Sequence, residues 1–309
     1  MYPRLIEGQG RPMNNLLLGV GFGLVTAAIL ALATVPLSLQ MSVARIPNFA
    51  HGEFLTVGAY AAYLVNEHGG NFWLCALAAA AAGGGVAFLM NALLLQPFAR
   101  RKPKLLILFI LTIAASLIIQ NLILLFFGGN SLSYNLPQSA PHKIGPLLLT
   151  SLNLLTIGLA IVLMIAVHVL LKYTKFGKAQ RAVSDSRDLA RVTGINSEGV
   201  IRLTWLIDGT IAGFAGFLLG ISSGTLSPTL GQGYLLVIFA AAILGGIGKP
   251  YGAMAGALVI GLAMEISALY IPSSYKEAVA FGLLILTLLV RPNGIFAAPR
   301  ASGAAGATA

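Results

Sequence analysis

Long runs of apolar residues, separated by short polar connections, account for most of the chain between positions 16 and 290. A helix needs about 20 apolar residues to cross the hydrocarbon core of a bilayer. The pattern therefore predicts helices at 16–39, 46–65, 72–95, 105–127, 147–171, 204–223, 234–247, 253–271 and 277–290. The predicted fold class is all-α, a polytopic transmembrane helical bundle with eight or nine spans.

Two of the predicted helices contain residues that interrupt a membrane span. The second includes Pro47, Asn48, His51 and Glu53, so we expect it to be broken or to face protein instead of lipid. The seventh is short and runs into the glycine-rich segment 245–248, which favours a re-entrant helix. One broken or re-entrant segment is therefore expected among the spans.

The composition supports the membrane assignment. Of the 309 residues, 57% are hydrophobic and 9% are charged, whereas about 25% of the residues in a soluble domain are charged. The formal net charge of +10 would also suit a nucleic-acid partner. The basic residues lie in short connections between helices, however, which is the pattern that orients membrane proteins, so no nucleic acid is expected.

The basic residues are distributed unequally between the two sides of the predicted bundle. Fifteen Lys and Arg fall on the side that holds segment 96–104, segment 172–203 and the C-terminus, against two on the other side. Because basic loops stay in the cytoplasm, this bias places the large charged segment there. Nine spans would then put the N-terminus outside, with Arg4 and Arg11.

We expect one transmembrane domain over residues 1–299, with 172–203 as its cytoplasmic loop, and a disordered Ala/Gly-rich tail over 300–309. The single cysteine predicts neither a disulfide framework nor a metal cluster. The string GGIGKP at 245–250 lacks the first glycine and the Ser or Thr of an ATP-binding loop. With no nucleophile–base motif either, the chain is predicted not to be an enzyme and to bind no cofactor itself.

Glycines recur at a spacing of four residues in several helices. The pairs are Gly19/Gly23, Gly209/Gly213, Gly216/Gly220 and Gly252/Gly256. This spacing lets two helix backbones approach closely in a membrane, where lipid gives no hydrophobic drive for helix association. It predicts tight packing and indicates nothing about a substrate.

Ionisable side chains at membrane depth are costly and are often functional. The candidates are His51, Glu53, His168, Asp208 and Glu265. His51 and Glu53 lie with Asn48 in the interrupted second helix, where a break frees backbone groups of the kind that line translocation paths. Two interpretations stay open for this group: a part in the pathway or its gate, and an internal polar network.

Asp208 lies on a glycine-lined helix face, and Arg45 and His51 are its two candidate partners inside the bundle. It is kept with the candidate path, although a structural role is favoured for it and for Glu265. His168 lies near a helix end, where it is expected to snorkel to the interface or to cap the helix.

The charged segment contains a short amphipathic helix. Ser184 or Asp185 is a candidate N-cap, and Gly194 is a candidate stop. Leu189 and Val192 would share one face of about two turns, with charged residues around them. Such a helix can insert into a groove on a partner protein, and the alternative is a solvated charged loop.

Five sequence blocks resemble, in the same order, the inner-membrane permeases of bacterial ABC importers for branched-chain amino acids, specifically the shorter of the two permease types. The blocks are IPNFAHGEFLTVGAY (46–60), LLLQPFARRKP (93–103), KYTKFGKAQRAVSDSRDLARVTGIN (172–196), AAILGGIGKPYGAMAGA (241–257) and LLVRPNGIFA (288–297). The chain departs from the resemblance at Gln96, where many relatives have Tyr-Arg before the proline.

The resemblance implies a permease that moves branched-chain or similar small amino acids by alternating access across the cytoplasmic membrane. The short helix would sit in a cleft of a cytoplasmic ATPase, which hydrolyses ATP. The coupling residues would be Asp185, Arg187, Asp188, Leu189, Arg191 and Gly194. A second related permease, or a second copy, would pair with this chain. A substrate-binding protein outside would deliver the ligand.

Three other functions are kept as alternatives. Related permeases serve urea, short amides and other small polar solutes, so the substrate is open. A self-sufficient secondary transporter would use His51, Glu53 and Asp208 as a proton or ion relay. A membrane-embedded enzyme ranks last, for want of a nucleophile and its base.

Overall fold

The computed structural model describes residues 12–101, 104–136, 142–144, 147–291 and 294–295. Its helices are α1 (Pro12–Ala44), α2 (His51–Glu67), α3 (Phe72–Leu89), α4 (Gln96–Arg100), α5 (Leu105–Phe127), α6 (Ser151–Tyr173), α7 (Lys175–Asp185), α8 (Arg187–Val192), α9 (Ser197–Ser223), α10 (Leu230–Gly245), α11 (Pro250–Ser267) and α12 (Lys276–Val290). A π-helical segment, Met90–Leu95, joins α3 to α4, and a 3-10 turn, Ser273–Tyr275, precedes α12. Two three-residue strands, β1 (His142–Ile144) and β2 (Leu147–Leu149), form an antiparallel hairpin.

Seven helices in the described part of the chain are long and apolar enough to cross a membrane. They are α1, α3 with its continuation through α4, α5, α6, α9, α11 and α12. The apolar helix α10 is shorter, and α2 has 17 residues. The prediction of an all-α, multi-pass bundle is confirmed. Arg4, Arg11 and the tail 300–309 lie outside the described residues.

Helix α2 begins at His51, five residues later than predicted, because Pro47 and Asn48 interrupt the helix before it. Pro47 has no backbone N–H to donate. The Asn48 side chain accepts the backbone N–H of Ala50 at 3.1 Å, which holds the turn that leads into His51. Residues 46–50 are largely buried, so α2 is the second half of an interrupted span, as the sequence indicated.

Two other boundaries differ from the prediction. Helix α3 does not end at 95 but continues through the π-helical segment to Arg100, so the Gln96–Arg100 part of the basic connection is helical. Helix α9 begins at Ser197 instead of 204, because the Asn196 side chain accepts the backbone N–H of Gly199 at 3.0 Å. Hydropathy alone misses both extensions, since they carry charged residues beyond the apolar stretch.

Helix α9 lies at the centre of the bundle. Of the residues in its most apolar stretch, 78% are buried, against 22% in α5 and in α6 and 6% in α12. Helix α9 packs against α1, α2 and α3, and α2 also packs against α3. Helix α10 packs against α1, α2 and α11, and α11 packs against α1. The outer helices α5, α6 and α12 therefore present their apolar side chains to lipid or to another membrane protein.

The two ends of the bundle are chemically different. The basic end holds α7, α8 and the C-terminal ends of α1 and α4, with Arg45 and Arg100 among its residues. The opposite end holds the connections 128–136 and 268–275. There Tyr134 donates to the carbonyl of Ala59 at 2.9 Å, which fixes the first connection over α2.

The predicted glycine pairs lie where helices touch. A Cβ atom added at Gly216 would fall on the carbonyl of Leu55 in α2, and one added at Gly256 on the carbonyl of Ala241 in α10. Gly213 meets Gly83 of α3 in the same way. These contacts show the close backbone approach that the spacing predicts.

Gly83 and Gly85 of α3 make a matched test of this packing. A Cβ at Gly83 would collide with the backbone of Gly209 and Gly213, whereas a Cβ at Gly85 meets nothing within 4 Å. We expect Gly83→Ala to destabilise the protein by about 1–3 kcal/mol through overpacking. Gly85→Ala should be neutral or slightly stabilising, because alanine favours helix. Thermal unfolding in detergent measures both, and equal midpoints for the two variants would contradict the α3–α9 contact.

Helices α2 and α10 are two half-length helices whose N-termini meet inside the bundle. The backbone N–H of Gly231, in the first turn of α10, donates to Thr56 Oγ1 of α2 at 3.1 Å. Gly52 and Gly231 touch through their backbones. Helix α10 then runs to Gly245, which packs on Gly252 near the basic end. The seventh predicted helix is thus a half-span that completes the crossing begun by the connection after α9, and it does not fold back as a re-entrant helix would.

Candidate functional site

His51 is fully buried where α1, α2 and α9 meet. Its Nε2 lies 2.9 Å from the carbonyl oxygen of Ala33. A carbonyl oxygen only accepts, so Nε2 carries a proton and donates. Ala33 lies 11 residues before the end of α1, which is roughly 16 Å along the helix and close to the middle of a bilayer core of about 30 Å.

Asp208 faces the other nitrogen of His51. Its Oδ1 lies 3.2 Å from His51 Nδ1, and both side chains are completely buried. The two atoms are close without the alignment of a hydrogen bond, and neither carboxylate oxygen has a hydrogen-bond partner among the described residues. Of the two partners predicted for Asp208, the structure therefore selects His51 and not Arg45. The pair, which we call the His51–Asp208 clamp, joins α9 to α2 and, through Ala33, to α1.

Asn48 holds the break before α2. Its side-chain N–H donates to Gln40 Oε1 at 3.3 Å, while its oxygen accepts from Ala50. The next residue, Phe49, donates its backbone N–H to Thr112 Oγ1 of α5 at 3.3 Å. Asn48 thus satisfies backbone and side-chain groups that would otherwise be unpaired inside the bundle.

Glu53 lies in the first turn of α2, at the meeting point with α5 and α10. Ser116 Oγ donates to Glu53 Oε1 at 3.0 Å and lies 3.4 Å from Gln232 Oε1. Glu53 Oε2 has no hydrogen-bond partner among the described residues. The N-terminus of a helix favours negative charge, and the N-termini of both half-helices are close to this carboxyl group.

Ser116 and Gln232 are the members of this group that sequence reasoning missed. Glu53 and Ser116 are buried, whereas Gln232 is exposed on the surface of the chain. An exposed amide side chain this close to the middle of the bundle is costly against lipid. The signal available from the sequence was a polar residue after Pro228 in an otherwise apolar run.

The charged segment forms two helices at the basic end. Helix α8 is capped by Ser186, whose Oγ accepts the backbone N–H of Leu189 at 3.3 Å. The predicted caps Ser184 and Asp185 are wrong, because both residues belong to α7. Gly194 ends α8 with φ at 83°, and Ile195 donates its backbone N–H to the carbonyl of Ala190 at 2.9 Å. These features form a Schellman C-cap, so the predicted stop is confirmed.

Helix α8 turns an apolar face outward. Leu189 is 69% exposed and Val192 is 86% exposed, while Ala190 is buried against the body of the protein. The charged residues Asp188 and Arg191 are exposed beside them. Two large apolar side chains held in water on a rigid helix are the arrangement expected of a surface that another protein covers.

One of the predicted coupling residues, Arg187, faces the bundle instead, and the backbone carbonyl of another, Asp185, accepts from Arg45. Arg187 donates to the carbonyl of Val43 at the end of α1, at 2.6 Å. Arg45 donates to the carbonyls of Ser184 and Asp185 at the end of α7, at 2.9 and 3.0 Å. Each arginine thus satisfies the free carbonyls at a helix C-terminus. Burial lowers the pKa of Arg187 from its usual value, and the nearby Arg45 lowers it further.

A polar cluster joins α8 and α9 to α4. Glu198 Oε2 accepts from Arg100 and from Gln96, both at 2.8 Å, and its Oε1 lies 3.9 Å from Arg191. Gln96 in turn accepts from Arg202 at 2.8 Å. The residue at which the chain departs from the resembled family therefore bridges two helices.

The remaining membrane-depth candidates lie away from this core. His168 Nδ1 lies 2.8 Å from the hydroxyl of Tyr251. Glu265 accepts from Thr26 at 3.0 Å and pairs with Lys276 at 2.7 Å. Glu265 therefore joins α1, α11 and the start of α12, which fits the structural role favoured for it.

The chain is similar in sequence to several curated transport permeases. The high-affinity branched-chain amino acid transport system permease protein LivH of Escherichia coli (strain K12) is 42% identical over 136 residues, which are 44% of this chain and 44% of that protein. The corresponding protein BraD of Pseudomonas aeruginosa is 37% identical over 148 residues, 48% of each chain. The xylose transport system permease protein XylH of Haemophilus influenzae is 32% identical over 38% of this chain and 33% of its own length.

The matched part of the chain spans less than half the length of these curated relatives. No solved structure matches the chain. The family described as branched-chain amino acid transport system / permease component matches residues 19–288, which include all or most of each described span. The chain therefore belongs to this permease family.

Proposed function

We propose that the chain is the transmembrane permease subunit of an ATP-driven importer for branched-chain or similar small amino acids. The observation that carries the proposal is the outward apolar face of α8, which is anchored to α1 by Arg187 and continues into α9. The names of the relatives support the transport role and the substrate class. The basic end would lie in the cytoplasm, with the protein in the bacterial inner membrane.

The proposed partners are the subunits that an importer needs besides this permease. A cytoplasmic ATPase would receive Leu189 and Val192 in a cleft and would hydrolyse the ATP, while this chain performs no catalysis. Asp188, Arg191 and Gly194 would set the charge and the shape of the same contact. A second related permease, or a second copy, would complete the pathway, and a binding protein outside would deliver the ligand.

The hydrogen bonds indicate how a displacement of α8 by the ATPase would be transmitted to the membrane helices. Arg187 joins the first residue of α8 to the end of α1, and only four residues separate α8 from α9. A displacement of α8 would therefore move the ends of α1 and α9 together. The His51–Asp208 clamp joins the same two helices deeper in the bundle, so it would act as the fixed point about which they tilt.

The group formed by Glu53, Ser116 and Gln232 is the proposed gate. It lies where the half-helices α2 and α10 meet, and Gln232 brings it to the outer face of this chain. A path between two permease chains would pass along that face, which spares Gln232 from lipid. The positive ends of the two helix dipoles would favour the carboxylate of an amino acid there.

Glu53→Ala is expected to reduce substrate uptake several-fold without loss of ATPase binding. The substitution removes the shorter of the two contacts of Ser116 in the gate and leaves only Gln232 Oε1 at 3.4 Å, while α8 is untouched. Uptake of radiolabelled leucine into proteoliposomes that contain the assembled transporter is the measurement. Unchanged uptake would make Glu53 a structural residue, and Glu265→Ala provides a control at a half-buried acid away from the gate.

The alternatives make different predictions in the same vesicles. A permease for urea or short amides would keep ATP-dependent transport but would leave leucine outside. A secondary transporter that uses His51, Glu53 and Asp208 as a relay would drive flux along a proton gradient with this chain alone. Gradient-driven uptake without any ATPase would overturn the proposed function.

A further inference from the structure

We propose that a crevice between α1, α6 and α11 binds an anionic phospholipid, with an acyl chain along its apolar part and the phosphate in its basic mouth. The crevice lies on the lipid-facing surface of the bundle, and no residue of the gate or of α8 lines it. The assignment rests on three features: an open apolar slot, a cationic opening without acidic residues, and a buried side chain without a partner.

The apolar part of the crevice has a volume of about 490 Å³. Small residues of α1, Ala27, Ala28 and Ala31, leave room between α6 and α11. Its outer wall includes Ile161 and Ile165, which are 55% and 58% exposed, so the slot opens sideways into the bilayer. An apolar slot of this kind suits a hydrocarbon chain.

The basic mouth continues the crevice toward the basic end and has a volume of about 420 Å³. His168 and Tyr251 line both parts, so the two spaces adjoin. Lys172 and Arg181 bring two cations to the mouth, and none of the described residues that line either part is an acid. Both basic side chains are exposed, and neither forms an ion pair among the described residues.

Gln180 supplies the third feature. Its side chain lines the mouth and is 3% exposed, yet its Oε1 has no hydrogen-bond partner among the described residues. A buried amide oxygen without a partner costs free energy that a bound group can recover. A glycerol hydroxyl or a phosphate oxygen in the mouth would meet this amide, depending on which way the amide group is turned.

The crevice follows α1 from Leu24 to Ser42, a rise of roughly 27 Å. A lipid whose phosphate lies in the mouth would therefore extend an acyl chain past the middle of a hydrocarbon core of about 30 Å. The mouth lies at the basic end of the bundle, and basic pockets in this position attract anionic head groups.

Native mass spectrometry of the purified full chain tests the proposal. The protein is mixed in detergent with phosphatidylglycerol or with phosphatidylcholine of the same acyl chains. The detergent is then removed in the mass spectrometer, and the lipid that stays bound is measured. We expect roughly tenfold more retained phosphatidylglycerol, because each basic residue near an anionic head group contributes to binding. The double substitution Lys172→Gln/Arg181→Gln should reduce this retention to the level of phosphatidylcholine.

Lys178→Gln is the matched control, because it removes an exposed cation from α7, the helix of Arg181, without touching the mouth. Its retention of phosphatidylglycerol should equal that of the unmodified chain, and an equal loss in both variants would overturn the proposal. Ile161→Trp, which fills the apolar part, should reduce retention of both lipids.

Two further outcomes would also overturn it. If inorganic phosphate alone stabilised the protein against heat as much as phosphatidylglycerol does, the mouth would be an anion site without a lipid. If Ile161→Trp instead abolished a dimer that carries no lipid, the crevice would belong to a second copy of the chain.

Discussion

His51→Ala is expected to destabilise the folded bundle by about 3–5 kcal/mol, because it leaves the buried Asp208 without the imidazole that faces it. The substitution also removes the hydrogen bond to Ala33, which joins α2 to α1. The measurement is the midpoint of thermal unfolding in detergent, together with the amount of protein recovered from membranes.

The double variant His51→Ala/Asp208→Ala provides the control. It removes both partners, so it should recover part of the stability that the single substitution loses. His168→Ala should cost only about 1 kcal/mol, since it breaks one hydrogen bond to Tyr251 at the edge of the bundle. Equal losses in the single and double variants would show that Asp208 does not depend on His51.

Gly194→Val is expected to uncouple ATP hydrolysis from uptake while the protein still reaches the membrane. Valine is strained at a φ of 83°, so the Schellman cap of α8 would open and Leu189 would lose its fixed direction. Uptake should fall at least tenfold in proteoliposomes, while the ATPase activity of the assembled complex falls much less. The measurement is the ratio of substrate moved to ATP hydrolysed.

Gly128→Val is the matched control for backbone strain. Gly128 has a φ of 74° with nothing within 4 Å of an added Cβ, and it lies at the opposite end of the bundle. Both substitutions impose a similar strain of about 1–3 kcal/mol, but only the change in α8 should alter the ratio. The same ratio in both variants would remove α8 from the coupling mechanism.

The features that depend on local sequence were predictable. The apolar runs predict the spans, Pro47 and Asn48 predict the break before α2, and Gly194 predicts the end of α8. Each of these follows from the chemistry of a few adjacent residues, namely a missing N–H, a side chain that bonds to its own backbone, or a positive φ.

The features that depend on distant residues were not predictable. The resemblance names Arg187 as a coupling residue, but no local pattern indicates its partner, a carbonyl 144 residues away in α1. Ser116 joins Glu53 across 63 residues of sequence. The alternatives for Asp208 were also resolved only by the packing of α1, α2 and α9, since Arg45 and His51 are equally plausible by charge.

Charged residues lower the hydropathy where α4 continues α3 and where α9 begins, but the same residues stabilise both helix ends. Arg100 and Glu198 read as loop residues by hydropathy, but they pair across two helices that extend beyond the apolar stretch. Gln96 completes that cluster, so a departure from the resembled family pattern coincides with a specific contact of this chain.

The central claim is that α8 docks a cytoplasmic ATPase, and an affinity pull-down of the tagged chain from native membranes tests it most directly. The eluate is analysed by mass spectrometry and by an ATPase assay, with Leu189→Asp/Val192→Asp beside the unmodified chain. Tyr270→Asp is the control, since Tyr270 is 73% exposed at the opposite end of the bundle. The proposal predicts a nucleotide-binding subunit with the unmodified chain and with Tyr270→Asp, and its loss with the α8 variant. Recovery of the chain without an ATPase in several mild detergents, or an ATPase retained by the α8 variant, would contradict it.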